Sequence, residues 1–511
     1  MAMLLLAGIR CAAQLPDWCE DHKLMNFGRR AFQDSRCRLG LFRPMQTASQ
    51  TYVFADKLRR AAGVALLAAA TVFGSISSAQ SQGRVPVVRD AEIEALVRDY
   101  ARPILKAAGL SSGVDIILVN DQSFNAFVAG RRMFINTGAL LSADTPNEII
   151  GVIAHEAGHL AGGHQDRLRQ QLARAQTMAI VGTLLGIGAV AAGAATDNPE
   201  IGQAGMGIAG GSAEFARRGL MGYQRTEEAT ADRSAIRYLE ATGQSGKGMI
   251  KTFQRFQSAL SLSGARVDPY QISHPMPRDR IANLETLVTQ SAYYEKPDSE
   301  TLQQRHDMMR AKIAIFTQGQ AGLSRLARRK LDPLAKQYGD ALAAYLYGSP
   351  KAAAAKADAL IKAQPKSPYF QELRGDAMMK ANRPKDAAES YAKAVKLDPA
   401  RSGILQIALG QAYLAMGNAA ATEKAVSTLK LGLARDKENA AGYQYLAQAY
   451  GQLGNVGEAE LAIADQNFYN GNYFEAQVFA TRAQQKLKRG TPAWLRAQDI
   501  ISFKAPRKKR G

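Results

Sequence analysis

The chain has 511 residues and a formal net charge of +20, with 46% hydrophobic and 22% charged residues. At roughly 150 residues per domain, this length predicts about three folded units, and the composition excludes a disordered or collagen-like protein. All three cysteines lie within the first 37 residues, so no disulfide framework can stabilise the remainder. The positive charge is diffuse and lacks interleaved aromatic residues, so we expect no nucleic-acid partner.

Residues 57–79 have the three parts of an export signal. Basic residues precede an apolar run over 61–73, and small residues then lead up to Ala79. Because such a signal normally begins a chain, we interpret residues 1–79 as a mis-assigned N-terminal extension plus a signal peptide that is cleaved after Ala79. Cleavage would leave a chain without cysteine, as expected for an oxidising compartment such as a bacterial periplasm.

A helix over 90–108 and two short strands are predicted before the first motif. The first strand covers 114–119. The second consists of Met133, Phe134, Ile135, Asn136 and Thr137. We predict a small sheet in which this second strand lies at the edge and binds an extended substrate by main-chain hydrogen bonds, which would allow broad specificity.

His155, Glu156 and His159 form an H-E-x-x-H pattern on a predicted amphipathic helix that begins near Asn147. Two imidazoles four residues apart lie on the same helix face, so both can bind one tetrahedral zinc ion. Glu156 lies beside them and is the candidate general base for a water molecule. The alternative is a histidine pair satisfied by polar groups of the protein itself. The pattern in its helical context favours one zinc ion per chain.

A catalytic zinc ion needs a third protein ligand, and two candidates follow. His164 is one residue short of the metzincin pattern H-E-x-x-H-x-x-G-x-x-H, which has histidine where this chain has Gln165; we interpret it as a supporting or surface histidine. Glu228 and Asp232 share one predicted helix face, so Glu228 can bind the metal while Asp232 holds the free N–H of a ligand imidazole. A solvated helix face explains an isolated pair of this kind equally well.

Taken together, these motifs make residues 85–290 resemble the M48 family of zinc metallopeptidases, of the gluzincin type. Further matches in family order are Asn125-Ala126-Phe127, Arg225, and His274-Pro275 followed by Arg280-Ile281. The resemblance implies a zincin-type catalytic domain. Its site residues would be His155, His159 and Glu228 as zinc ligands, Glu156 as the general base and Asp232 as the support of a ligand.

The family also has a histidine at the position of His274. We predict that His274 either binds zinc as a fourth ligand and keeps the enzyme latent, or stabilises the oxyanion during hydrolysis. The alternative is a loop histidine without a chemical role.

Residues 178–195 form an uncharged run with the length of a marginal membrane span. A single crossing between His159 and Glu228 would place two halves of one metal site on opposite sides of a bilayer. A re-entrant hairpin with the glycine-rich segment 201–212, or an apolar flap over the active-site cleft, avoids this. We favour the flap and keep peripheral membrane contact through 178–195 as a second hypothesis.

Beyond a helical connector at 291–333, the sequence has a period typical of tetratricopeptide repeats. Pro365 and Pro399, for example, lie 34 residues apart. We predict about four helix pairs over 334–490 and a basic C-terminal tail over 491–511; a generic alanine-rich bundle is the alternative. Stacked repeats form a concave surface that binds proteins.

The predicted fold class is α+β and mostly helical, with a small sheet in the catalytic domain and an α-solenoid of repeats after it. This combination resembles exported M48 members that act in quality control of outer-membrane proteins. The expected function is a periplasmic zinc endopeptidase that cleaves misfolded or stalled envelope proteins, with repeats that dock polypeptide substrates or the outer-membrane protein assembly machinery. The alternative is a periplasmic chaperone or scaffold with latent or minor protease activity.

Overall fold

The computed structural model describes residues 86–263, 274 and 278–505. The predicted N-terminal extension and signal peptide lie outside the described residues. The strands are β1 Val87–Val88, β2 Asp115–Val119, β3 Ala126–Ala129 and β4 Arg132–Asn136. The helices up to residue 327 are α1 Ala91–Ala107, α2 Thr137–Ser142, α3 Pro146–Gly162, α4 His164–Ala195, α5 Pro199–Ala241, α6 Lys247–Ser263, α7 Arg278–Thr289 and α8 Glu300–Ala327.

Ten further helices follow as antiparallel pairs. They are α9 Pro333–Tyr347, α10 Pro350–Ala363, α11 Pro368–Lys380, α12 Pro384–Leu397, α13 Gly403–Ala415, α14 Ala419–Arg435, α15 Ala440–Gln452, α16 Val456–Tyr469, α17 Tyr473–Lys486 and α18 Pro492–Ser502. The predicted α+β fold, mostly helical with a small sheet before a helical repeat region, is confirmed.

The sheet has the strand order β1-β2-β4-β3, so β4 lies in its interior. β4 is parallel to β2 and antiparallel to β3, to which it is joined by a turn at Gly130 with a φ of 61°. The prediction that Met133–Thr137 forms an edge strand is therefore wrong. The sequence pattern missed β3 because this strand has only four residues. The predicted strand is also one residue too long, since Thr137 already begins α2. A peptide that extended the sheet on this side would add beside β3.

Helix α3 lies at the centre of the first core, and its residues from Pro146 to His159 are all buried. Its isoleucines pack with side chains of α1, the sheet and α6. Gly158 allows α5 to come close, since a Cβ atom there would lie 2.8 Å from the carbonyl oxygen of Ala231. α3 ends at Gly162, and the following Gly163, with a φ of 65°, turns the chain into α4. This packing fixes the orientation of α3 relative to α5.

Helices α4 and α5 form a long antiparallel hairpin joined at residues 196–198. Small residues lie between the two helices: a Cβ atom at Gly186 would lie 2.7 Å from the Cβ of Ala209, and one at Gly193 only 2.5 Å from the backbone nitrogen of Gly202. This pairing agrees with the hairpin alternative, and the flap over the active-site cleft stays a prediction. Within the described residues, α4 is the one helix long and apolar enough to cross a membrane by length and composition.

Helix α8 belongs to two cores. Met309 and Ile313 pack into the core around α3, whereas Met308, Ala311 and Ala314 pack with α9 and its neighbours. The connector predicted at 291–333 is thus a structural helix with a kink, where Gly319 has a φ of 64°. Its two faces hold the first part of the chain against the repeats.

The helix pairs from α9 to α18 continue further than the sequence predicted. Within the described residues there are five pairs instead of about four, and the last helix ends at Ser502. A tail that begins at residue 491 is therefore wrong, because Ala497 and Ile500 are buried against α16 and α17. The N-terminal side also contacts the repeats: Ala91 packs with α12 and α13, and Arg89 forms an ion pair of 2.8 Å with Asp436.

Candidate metal centre

Three parts of the chain bring together four side chains that could bind a metal. Helix α3 supplies His155 and His159, α5 supplies Glu228, and the residue at 274 supplies a third histidine. All four side chains are buried, and one ligand atom from each lies within 4.8 Å of all the others. The four-residue spacing on α3 and the close approach of α5 produce this cluster.

The distances within the cluster fit a tetrahedral zinc ion. Two atoms bound to such an ion at about 2.0–2.1 Å lie roughly 3.3–3.4 Å apart. The Nε2 atoms of His155 and His159 lie 3.0 Å apart, and each lies 3.3 Å from an oxygen of Glu228. Two imidazoles and one carboxylate are a donor set of catalytic zinc sites. The residues present therefore fit the metal that the sequence predicts.

The outer nitrogen of His155 faces a buried carboxylate. Its Nδ1 lies 2.9 Å from Oδ1 of Asp232, so a proton on Nδ1 leaves Nε2 with its lone pair for a metal. Arg280 holds this carboxylate by two hydrogen bonds of 2.5 and 2.8 Å and lies 2.8 Å from Glu228. Arg280 thus fixes both carboxylates, a role that we did not predict, although the family match at this arginine was a signal for it.

The outer nitrogen of His159 faces another histidine. Its Nδ1 lies 2.9 Å from Nδ1 of His164, and Nε2 of His164 lies 2.8 Å from Glu227. Glu227 in turn forms an ion pair of 2.7 Å with Arg167. His164 therefore contacts the side of the His159 imidazole that faces away from the cluster, and it lies outside the group of four donors. Glu227 was not predicted either, because its neighbour Glu228 fits the family pattern.

Glu156 lies beside the cluster with a buried carboxylate. Among the described residues, neither of its oxygens has a hydrogen-bond partner, and Oε1 lies 3.4 Å from Nε2 of His274. Burial raises the pKa of Glu156 to about 7, against the opposing effect of His159 and His155. A general base works best with a pKa near the working pH. An orphaned carboxylate of this kind suits a proton acceptor for a bound water molecule.

The charges of the cluster depend strongly on one another. Burial acts to raise the pKa of Glu228, but contacts with His155, His159 and His274 outweigh it and hold the pKa well below its ordinary value. Burial acts to lower the pKa of His155, but Asp232 and Glu228 raise it to about 9. A metal must displace a proton from such a histidine, so metal binding weakens as the pH falls.

His274 contacts both parts of the centre. Its Nδ1 lies 3.1 Å from each oxygen of Glu228 and 3.4 Å from Nε2 of His155. Burial lowers the pKa of His274, although Glu228 acts in the opposite direction, so the neutral ring has a lone pair available for a metal. The position agrees with a fourth donor. By contrast, Met133 and Ile135 of the predicted substrate strand are buried in the core around α3.

Comparisons with known proteins agree with this geometry. Residues 51–288 match the family described as Peptidase family M48. The chain is 24% identical over 423 residues, which are 81% of it and 83% of the relative, to the Beta-barrel assembly-enhancing protease of Escherichia coli (strain K12). It is 23% identical, with the same coverage, to a protein of that name from Yersinia pestis.

Two further similarities are shorter. A Putative beta-barrel assembly-enhancing protease of Vibrio cholerae is 26% identical over 218 residues, 42% of each chain. The crystal structure of MamA has a TM-score of 0.25 and 22% identity, and the match covers 34% of this chain and 92% of that one. The family match contains the H-E-x-x-H helix and the glutamate that faces it across the cluster. Over residues 51–288 this chain is therefore similar to the peptidases of family M48, and it is a metallopeptidase that resembles the β-barrel assembly-enhancing proteases.

Proposed function

We propose that this protein is a zinc-dependent endopeptidase of the bacterial envelope. The observation that supports it best is the convergence of His155, His159 and Glu228 next to the unpartnered carboxylate of Glu156. These are the donors and the base that hydrolysis of a peptide bond by a metallopeptidase requires.

The chain's own residues supply positioning and proton transfer. His155, His159 and Glu228 would hold a zinc ion, which would supply a Lewis acid for the scissile carbonyl and lower the pKa of a water molecule to about 7. Glu156 takes one proton from the attacking water and gives it to the leaving nitrogen as the C–N bond breaks. Asp232 holds His155 in the required tautomer and orientation, and His164 does the same for His159.

The substrates that we propose are misfolded or stalled outer-membrane proteins in the periplasm. The names of the relatives describe proteases that enhance β-barrel assembly, and the coverage of 81% of this chain includes much of the helix pairs as well as the peptidase part. We assign to α9–α18 the docking of these polypeptides or of the assembly machinery, because stacked helix pairs form extended protein-binding surfaces. Export by the signal at 57–79 would deliver the protein to this compartment.

Removal of the metal tests the proposed activity directly. A chelator such as 1,10-phenanthroline should reduce casein hydrolysis by at least about a hundredfold, because the Lewis acid is lost. One equivalent of zinc per chain should restore the rate, as measured with metal analysis on the same samples. An inhibitor of serine proteases serves as the control and should have no effect. Full hydrolysis by protein that metal analysis shows to be free of zinc would contradict the mechanism.

The position of His274 favours a latent enzyme. Its contacts with Glu228 and Glu156 support this proposal, because the attacking water and the substrate carbonyl would need the same space. We infer that His274 is a fourth ligand in the resting state and must leave before cleavage. This state also accommodates the alternative function, a chaperone or scaffold with minor protease activity, since the resting protein would bind polypeptides through α9–α18 without cleaving them.

Substitution of His274 separates latency from direct catalysis. If it blocks the site, His274→Ala should increase basal casein hydrolysis or self-cleavage severalfold while zinc remains bound. The double variant with Glu156→Gln is the matched control and should lose this gain, which shows that the same site produces it. A fall of about a hundredfold or more in kcat would instead assign oxyanion stabilisation to His274. Wild-type rates would show that the residue has no chemical role.

A further inference from the structure

The hairpin of α4 and α5 has a long region without charged residues. This apolar arm pair comprises residues 175–195 of α4 and 201–213 of α5. Its most apolar window, in α4, has a mean hydropathy of 2.0, and only 17% of that window is buried. The region therefore exposes a contiguous apolar surface rather than a few scattered side chains. A large surface of this kind marks an interaction site in soluble proteins.

The large side chains of the apolar arm pair point away from its own helix interface. Leu184 and Leu185 are each 63% exposed. On α5, Met206 is 66% exposed, and Phe215, two residues beyond the apolar arm pair, is 67% exposed. The interface between the helices is made by glycine, alanine and serine instead. In a hairpin packed by water exclusion, the large side chains would fill that interface. Small residues inside and large apolar residues outside are the arrangement of helices in a bilayer.

The exposed apolar residues of α4 cover a wide face. At about 100° per residue, the exposed positions between Met178 and Leu185 span roughly 160° of the helix surface. A groove of a protein partner takes a narrower stripe of about 100°. A surrounding hydrocarbon phase contacts such a wide face more completely than a single protein groove does.

The α4 arm has the length of a bilayer core, whereas residues 201–213 of α5 rise only about 20 Å before Glu214. Residues 175–195 rise about 31 Å at 1.5 Å per residue, close to the hydrocarbon thickness of about 30 Å. Arg174, Arg217 and Arg218 lie where this region begins, and Glu214 pairs with the last two at 2.8 and 2.7 Å. Three arginines against one glutamate leave a positive collar at the base, which suits anionic lipid headgroups.

We propose that the apolar arm pair inserts into a phospholipid bilayer with its basic collar at anionic headgroups. Because the two helices enter and return together, the base of the hairpin lies on one side of the membrane. Both halves of the metal centre are attached to that base: α3, which carries His155 and His159, directly precedes α4, and Glu228 lies further along α5. Insertion therefore keeps the metal centre intact and holds the peptidase close to the membrane surface.

Vesicle flotation tests this insertion. The full chain should float with vesicles of phosphatidylethanolamine and phosphatidylglycerol and stay bound in high salt. The double variant Leu184→Asp, Leu185→Asp should reduce the bound fraction by at least about tenfold, because carboxylates in the bilayer centre are costly. Leu431→Asp, at a leucine of α14 that is 60% exposed, is the matched control and should float like the wild type. Circular dichroism and metal content verify that each variant is folded.

Fluorescence separates insertion from surface adsorption. The fluorescence emission of the Leu185→Trp variant should shift to shorter wavelength on addition of vesicles, and lipids with brominated acyl chains should quench it. The emission of the Phe474→Trp variant, changed on α17, should not respond. Binding that high salt removes, without quenching, would overturn insertion in favour of charge adsorption. Absence of flotation together with a dimer that Leu184→Asp, Leu185→Asp converts to a monomer would overturn it in favour of a second copy of the chain.

Discussion

Glu156→Gln should abolish peptide hydrolysis and leave the metal in place. Glutamine keeps the size of the side chain but cannot accept the proton of the attacking water, so turnover should fall by at least about a hundredfold. The carboxylate is not among the four converging donors, so zinc should remain at about one per chain. Peptide hydrolysis and metal analysis on the same preparation measure both quantities.

The variant also has a predicted effect on stability that supports the assignment. Both oxygens of Glu156 are buried without a hydrogen-bond partner in the described part of the chain. Replacing this carboxylate should therefore leave the thermal transition in place or raise it, as expected when a residue is retained for function. Wild-type turnover in Glu156→Gln would exclude the proposed base and with it this mechanism.

Glu228→Ala should lose the metal, whereas His164→Ala should keep it at saturating zinc. Glu228 faces His155 and His159 with one oxygen each, so its removal takes away a ligand. His164 contacts the outer nitrogen of His159 and is not among the four converging donors, so its loss should weaken affinity by roughly 10- to 100-fold without changing the stoichiometry. Zinc titration followed by metal analysis distinguishes the two effects.

A neighbouring residue provides the control for charge and position. Glu227 precedes Glu228 on the same helix but contacts His164 and Arg167. Glu227→Gln should behave like His164→Ala, since both act on the support of His159. Because Glu228→Ala leaves Arg280 with one carboxylate fewer, Glu228→Gln is the variant to use if the alanine protein does not fold. Zinc retained by the Glu228 variants but lost by His164→Ala would make His164 the third ligand.

The sequence predicted the parts of the site that depend on local geometry. The H-E-x-x-H spacing follows from the helical period, and α3 places His155 and His159 as that period requires. The assignment of Glu228 depended on matches spread along the chain, and the structure brings it to the same cluster. Arg280 could not be assigned a role, because nothing local connects it with Asp232, 48 residues earlier. A buried arginine needs a charged partner, but burial itself comes from tertiary packing.

The fold was predictable where patterns are long and uncertain where they are short. The 17 residues of α1 gave a clear helical period, and the repeats gave a period over many helices. β3 has four residues, too few for an alternating pattern. The sequence therefore did not predict β3 as the neighbour of β4, and the prediction that β4 lies at the edge of the sheet was wrong. The end of the repeats was missed for a different reason: α18 is amphipathic, but its basic continuation dominated the composition of the segment.

Helix α8 makes the peptidase part and the repeats one cooperative unit. Its methionines and isoleucines are shared between two cores, and His306 and Arg310 reach the chain just before α3 through Ala143 and Asp144. A chain cut near residue 333 would expose the apolar face of α8 on one fragment and the face of α9 that packs against it on the other. We therefore expect the metal-bearing helix and the first repeat to stabilise each other and to melt in a single transition.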